Sequence, residues 1–316
     1  MTTKELVKKA IRFENPSRIP ILYKDRSLQT IPEGDVMIYD IAIIRGNESE
    51  WGYKWQHMDD GTMGQPEDPI IKDWDDVKRY AFPELNLDER IKGLEEFKKQ
   101  AGERYTVTSL GISGFNTYMF IRGFENSMID LYSESAEGME LLDKIFNFEK
   151  ELMTFTAELG FDGFHFYDDW GTQDNLLAAP ALWRKLLKGR YKDQIDHAHK
   201  LGLDTWFHSC GNITAIVGDF HDIGVDVINI SQPNVVDIDE VGKNLKGKQC
   251  FMVPISYQTV SISGTPEEIR QEAKRLFTKL GTEEGGFVGY VEDYHCLGMS
   301  DENLEACVGA FAELIQ

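Results

Sequence analysis

His208-Ser209-Cys210 and the distant Tyr294-His295-Cys296 are the residues whose types and spacing could do chemistry in this chain. His208 and Cys210 stand two apart at the end of an apolar run, and alternate residues of a strand point to the same side. Cys296 follows another short apolar run, Phe287 to Val291. One imidazole and two thiolates arriving from two strand ends make three protein ligands for Zn²⁺. Three ligands leave a fourth position for substrate, the pattern of a catalytic zinc site rather than a structural one. The same residues also read as a core histidine and two buried thiols, since free cysteine often behaves as a small hydrophobe. His295, beside Cys296, is an alternative ligand.

The elements that must position these groups alternate along the chain. Short apolar or aromatic runs lie at Arg18–Tyr23, Tyr105–Leu110, Gly163–Tyr167, Leu203–His208, Val225–Ile230, Gln249–Pro254 and Gly286–Val291. Their length and composition predict strands. Between them run helical patterns. Ser135–Leu159 carries apolar residues three and four apart, Pro180–Leu201 opens on a proline, and Thr265-Pro266-Glu267-Glu268 forms a capping box. Strand–helix repetition without hairpin turns implies a parallel sheet with right-handed crossovers. Seven strands are named and an eighth is expected between Thr30 and Gly64, so the expected fold is an α/β (β/α)₈ TIM barrel forming one domain. Residues 30–100 read as an irregular excursion over the barrel mouth, with a helix at Asp88–Ala101. In such a barrel, catalytic groups come from the C-terminal strand ends, which gathers His208, Cys210, Cys296 and Asp168-Asp169-Trp170 at one mouth.

Composition narrows the class. A chain of 316 residues that is 41% apolar can bury a large core. The formal net charge of -21 opposes nucleic-acid backbones and anionic membrane surfaces. No apolar run is long enough to span a bilayer. Met1-Thr-Thr-Lys-Glu-Leu-Val-Lys-Lys enters a helical pattern with no signal-peptide core. The four cysteines show no disulfide spacing, so a reducing cytoplasm is the expected setting. Cys250 and Cys307 read as packing, and no G-x-G-x-x-G or P-loop follows a strand.

Several segments, in order and spacing, resemble the uroporphyrinogen decarboxylase superfamily. They are His208-Ser-Cys210-Gly211-Asn212, Ile223-Gly224-Val225-Asp226-Val227-Ile228-Asn229, Gly264-Thr265-Pro266-Glu267-Glu268 and Cys296 followed by Glu302-Asn303-Leu304-Glu305-Ala306. Ser109-Leu110-Gly111 and Phe166-Tyr167-Asp168-Asp169-Trp170-Gly171 are similar to segments of its N-terminal half. The decarboxylases hold porphyrinogen carboxylates with an R-Q-A-G-R-type segment. The corresponding stretch here, Tyr23-Lys24-Asp25-Arg26-Ser27-Leu28, keeps only scattered basic residues.

The resemblance is therefore to the zinc- and corrinoid-dependent methyltransferase branch, whose H-x-C and distant Cys match His208, Cys210 and Cys296. It implies Zn²⁺ at those three residues and a corrinoid carried by a separate corrinoid-binding protein, since this chain has no D-x-H-x-x-G. Asp168 is expected as a further ligand or a partner of the site, with helix capping as the plain alternative. Tyr257 replaces the usual pattern before the Gly-Thr-Pro helix start, and Asn229 ends its strand; both are expected to act in the reaction. Tyr167, Trp170, Phe115 and Tyr290 are placed to stack on a small methylated aromatic substrate, or to pack as ordinary core. The expected reaction is transfer of a methyl group from a phenyl methyl ether to Co(I), with zinc as Lewis acid on the ether oxygen. Methyl transfer from a methylcorrinoid to a thiol, a metal-free decarboxylase-like lyase using Arg18, Arg26, Arg45 or Arg122, and a non-catalytic binding barrel are the alternatives.

Overall fold

Eight strands rich in β-branched and aromatic residues pair in parallel and close on themselves. They are β1 (Ile21–Lys24), β2 (Val36–Asp40), β3 (Tyr105–Ser109), β4 (Gly163–Tyr167), β5 (Asp204–Ser209), β6 (Val227–Ile230), β7 (Cys250–Pro254) and β8 (Phe287–Glu292). The computed structural model describes residues 1–24, 34–56 and 64–314. Closure is made by β1, which pairs with β8 on one side (Ile21 opposite Gly289) and with β2 on the other (Leu22 opposite Val36). The expected (β/α)₈ barrel is thus observed. Its hidden strand is β2, within the stretch where it was expected.

Alternation along each strand separates two cores. Trp206, Tyr105, Val107, Val227, Met252 and Val288 fill the barrel interior, and Val7 and Ile11 of α1 (Thr3–Arg12) close its N-terminal end. The other parity, with Phe164, Phe166, Phe207, Ile228 and Phe251, packs outward against the helices. Cys250 and Cys307 are buried in these cores, as their positions predicted.

The helices follow the sequence pattern with two departures. Ala136–Glu158 is continuous, and Thr265 caps Pro266–Leu280 through the predicted capping box. The Pro180–Leu201 pattern forms two helices, Pro180–Leu186 and Lys188–Lys200, which break at Leu187 and still bury Trp183, Leu187 and Tyr191. The helix expected at Asp88–Ala101 is interrupted by Gly93, whose φ of +85° suits glycine, leaving Leu87–Arg90 and Leu94–Ala101.

After β2 the chain forms two small hairpins, Ile44–Arg45 with Glu48–Ser49 and Trp55–Gln56 with Gln65–Pro66. Buried Arg90 ties this region together: it pairs with Glu50 and donates to the carbonyl oxygens of Ile41 and Leu85, each at 2.5 Å. Trp51, Tyr53 and Trp55 are buried, with Phe120 and Phe148 against them. His57 lies outside the described residues. Among the described residues no helix is long and apolar enough to cross a membrane.

Candidate metal centre

At the C-terminal mouth, register sets the upper layer of the barrel: Tyr167 lies opposite His208, and His208 opposite Asn229. His208 Nδ1 lies 2.5 Å from Asn229 Oδ1, and Asn229 Nδ2 donates to the carbonyl of Met252 at 2.9 Å. The second bond orients the amide, so Asn229 offers an oxygen and His208 must carry its proton on Nδ1. In the neutral ring this leaves the lone pair on Nε2. It points at Cys210 Sγ (3.4 Å) and at Asp169 Oδ1 (3.5 Å). One donor atom from each of Asp169, His208 and Cys210 lies within 4.8 Å of the others, the arrangement a metal ion needs.

Two loops cross to make this cluster. Gly171 donates to the carbonyl of Cys210 at 3.1 Å, and Asn212 to that of Thr172 at 2.7 Å. At Gly211, with φ +76°, a Cβ would fall 2.2 Å from the backbone of Gly171. Only glycines permit this approach. It brings Asp169 Oδ1 to 2.7 Å from the Cys210 N–H, which donates to it. Burial, together with the Asp169 carboxylate, pushes the Cys210 thiol up. A bound cation reverses that balance, since a coordinating thiol loses its proton.

These residues line a cavity of about 430 Å³, within the range of small-molecule sites. Tyr167, Tyr257 and Tyr290 are on its wall. Lys24 and Glu292, missed in the sequence, face it too and pair at 3.1 Å. Tyr290 and Tyr294 each donate to Glu292 at 2.8 Å. Burial opposes the Glu292 charge, but Lys24 and the two hydroxyls outweigh it and hold the carboxyl below its usual range. Gln232 accepts from the Gly211 N–H and donates to the Tyr257 hydroxyl, both at 2.8 Å.

Cys296 lines the same cavity on an exposed turn, His295–Leu297, but lies outside the close donor cluster. His295 is held by Asp293 at 2.5 Å and Asp301 at 2.7 Å, and these carboxylates raise its pKa. Both its nitrogens are engaged, which disfavours it as the alternative ligand.

Three expectations need correction. Asp168 is fully buried and accepts from the backbone N–H groups of Phe115 (2.7 Å) and Asn116 (2.9 Å) and from the Tyr191 hydroxyl. It caps the helix Gly114–Arg122, and Asp169 takes its place at the cavity. Trp170 and Phe115 stack on each other, ring centroids 4.8 Å apart, in the outer core rather than on the cavity wall. Strand parity explains Asp168 and Trp170: His165, Tyr167 and Asp169 continue the inward side of β4, whereas Phe166, Asp168 and Trp170 continue the outward side; Phe115 is turned into the outer core by the helix Gly114–Arg122. That alternation was the available cue for Asp169. His165 is fully buried beneath Tyr167 with no hydrogen bond to either ring nitrogen, and burial holds it neutral. Asn229 stands behind His208 and touches the site through it.

A methyltransferase from Methanosarcina mazei superposes with a TM-score of 0.64 at 16% identity, over 84% of this chain and 77% of that one. An endo-β-1,4-xylanase of glycoside hydrolase family 10 from Gloeophyllum trabeum gives a TM-score of 0.42 at 8% identity, over 70% of this chain and 80% of that one. A Bacteroidetes-affiliated GH5 cellulase gives 0.43 at 11% identity, over 75% and 76%. No curated protein matches the chain. The sequence model of uroporphyrinogen decarboxylase (URO-D) matches residues 52–313, which hold β3 to β8 and the segments that carry Asp169, His208, Cys210 and Cys296. By that match the chain belongs to the uroporphyrinogen decarboxylase family.

Proposed function

We propose that this protein is a zinc-dependent methyltransferase that moves a methyl group from a phenyl methyl ether to the Co(I) corrinoid of a separate corrinoid-binding protein. The observation that carries the reading is the bare Nε2 of His208, set by Asn229 and aimed at Cys210 and Asp169 inside a cavity. Imidazole nitrogen, thiolate and carboxylate are all zinc donors, so the residues fit the ion. His208 and Cys210 would hold it, with Cys296 as third ligand and Asp169 beside them. Bound zinc supplies Lewis acidity at an ether oxygen.

The chain's own groups do the rest. Tyr257 accepts from Gln232 and, because burial pushes its hydroxyl up, keeps its proton and can donate a hydrogen bond to the oxygen that loses the methyl group, which takes its proton from water on release. Tyr167 and Tyr290 flank the substrate, and the Lys24–Glu292 pair braces the opposite wall. The products are the phenol and the methylated corrinoid. The likeness in fold to a methyltransferase supports the class. The four free cysteines fit a reducing cytoplasm.

The fates of the arginines weigh against a polycarboxylate substrate. Arg18 is bound to Asp35, Arg45 to Glu89 and Arg122 to Asp130; Arg26 lies outside the described residues. The test begins with elemental mass spectrometry of protein purified without chelator, where about one zinc per chain is expected. Co(I) corrinoid and 2-methoxyphenol should then give methylcobalt and the demethylated phenol. A folded, reduced protein that takes up no zinc overturns the proposal. Methylation of thiols from methylcobalamin alone reverses its direction.

A further inference from the structure

Beside the metal cavity lies a second one of about 260 Å³, at the ends of β2 and β3 against the first hairpin. Gly111 and Ile112 line both, so the two cavities meet there. The walls of the second are largely aromatic and aliphatic, from Trp51, Tyr53, Trp55 and Leu110. Two carboxylates also face it, in different states. Glu50 is taken up by Arg90 and by the N–H of Ile43. Asp40 accepts at Oδ1 from the N–H of Ala42 at 2.9 Å and makes no ion pair among the described residues.

Asp40 ends β2, on the barrel face that carries function in this architecture. Gly111 stands where the cavities meet, with φ +68°, and a Cβ there would point to within 3.6 Å of Asp40 Oδ2. The missing side chain leaves that oxygen approachable from the metal side. An apolar chamber with one unpaired acceptor suits a flat ring that carries a hydrogen-bond donor. The same charge repels an anion. Asp169, Glu292 and Asp293 add to the repulsion from the neighbouring cavity, where Lys24 is already paired with Glu292.

We propose that this second cavity holds the ring of the methyl ether, with Asp40 Oδ2 accepting from a ring hydroxyl. The substrate class is then uncharged methoxyphenols, and methoxybenzoates are rejected. The assignment rests on the methyl-ether reading above.

Calorimetric titration of the zinc-loaded protein tests it apart from turnover, with 2-methoxyphenol, methoxybenzene and 3-methoxybenzoate as probes. The methoxyphenol should bind about tenfold or more tighter than methoxybenzene, the ratio expected of a hydrogen bond to a charged acceptor. The benzoate should not bind. Asp40→Asn keeps the bond to Ala42 through its amide oxygen. It should weaken methoxyphenol at least about tenfold, leave methoxybenzene unchanged and admit the benzoate. Ala42→Phe should fill the cavity and remove binding of methoxyphenol and methoxybenzene with zinc content retained, which excludes misfolding as the cause. Equal binding of phenol and benzoate by the unmodified protein overturns the assignment, as do unchanged affinities in Asp40→Asn. Methyl transfer measured in parallel separates the two readings. Transfer indifferent to both substitutions sinks the ring site alone, whereas the expected binding pattern without transfer sinks the methyl-transfer reading and leaves the site standing.

Discussion

Asn229 holds His208 by a 2.5 Å hydrogen bond at Nδ1 while its own amide is anchored to the Met252 carbonyl. This pairing decides which imidazole nitrogen faces the cavity. Asn229→Ala should therefore lower zinc affinity by about 10- to 100-fold, as removal of partners behind metal ligands does elsewhere. Competition with a chromophoric chelator measures it. Unchanged affinity would show that His208 does not bind through a prepared Nε2.

The mouth offers four donors, His208, Cys210, Asp169 and Cys296, where a catalytic zinc uses three protein ligands. Replacing His208 with Ala, or Cys210 with Ser, should remove stoichiometric zinc. In the cobalt(II)-substituted protein, Cys296→Ser should lose about half of the thiolate-to-metal absorption, because one of two thiolates is gone. An unchanged spectrum would assign the third position to Asp169.

Gly211→Ala tests the crossing of the two loops. A methyl group 2.2 Å from the Gly171 backbone has no flexible neighbour to displace, and φ is +76°. We expect a loss of at least about 2 kcal/mol of stability in urea unfolding, with weakened zinc binding. A loss below about 0.5 kcal/mol would mean that the loops separate readily.

Glu149 provides a pH signature. Burial pushes its carboxyl up to about 7, against the favourable bonds from the Gly114 N–H and the Gln194 amide. Asp168 adds a second buried carboxyl near the same helix start, and no cation contacts either among the described residues. The folded state holds the Glu149 proton more tightly than the unfolded state does. The stability this gives is complete below about pH 4.5 and is lost as pH rises through about 7. The stability of the unmodified protein relative to Glu149→Gln should fall between pH 5 and pH 8 by on the order of 3 kcal/mol. Parallel pH profiles would place the Glu149 pKa near its ordinary value.

The sequence by itself determined the barrel and half of its mouth. Strand runs bounded by helix patterns specify a parallel closed sheet, and strand parity is local, so His208 and Cys210 share a face whatever else folds around them. The same parity, applied to Tyr167-Asp168-Asp169, places Asp169 rather than Asp168 on the inward side. Tertiary structure alone decided the partnerships. Asn229, 21 residues beyond His208, fixes its tautomer only through strand register. Lys24 reaches Glu292 across 268 positions only because β1 closes the barrel against β8. Phe115 and Trp170 stack in the outer core because their strand and helix present them there, although composition placed them equally well in a binding site. Aromatic residues serve packing and recognition by the same apolar surface, so which use applies depends on neighbours that folding supplies.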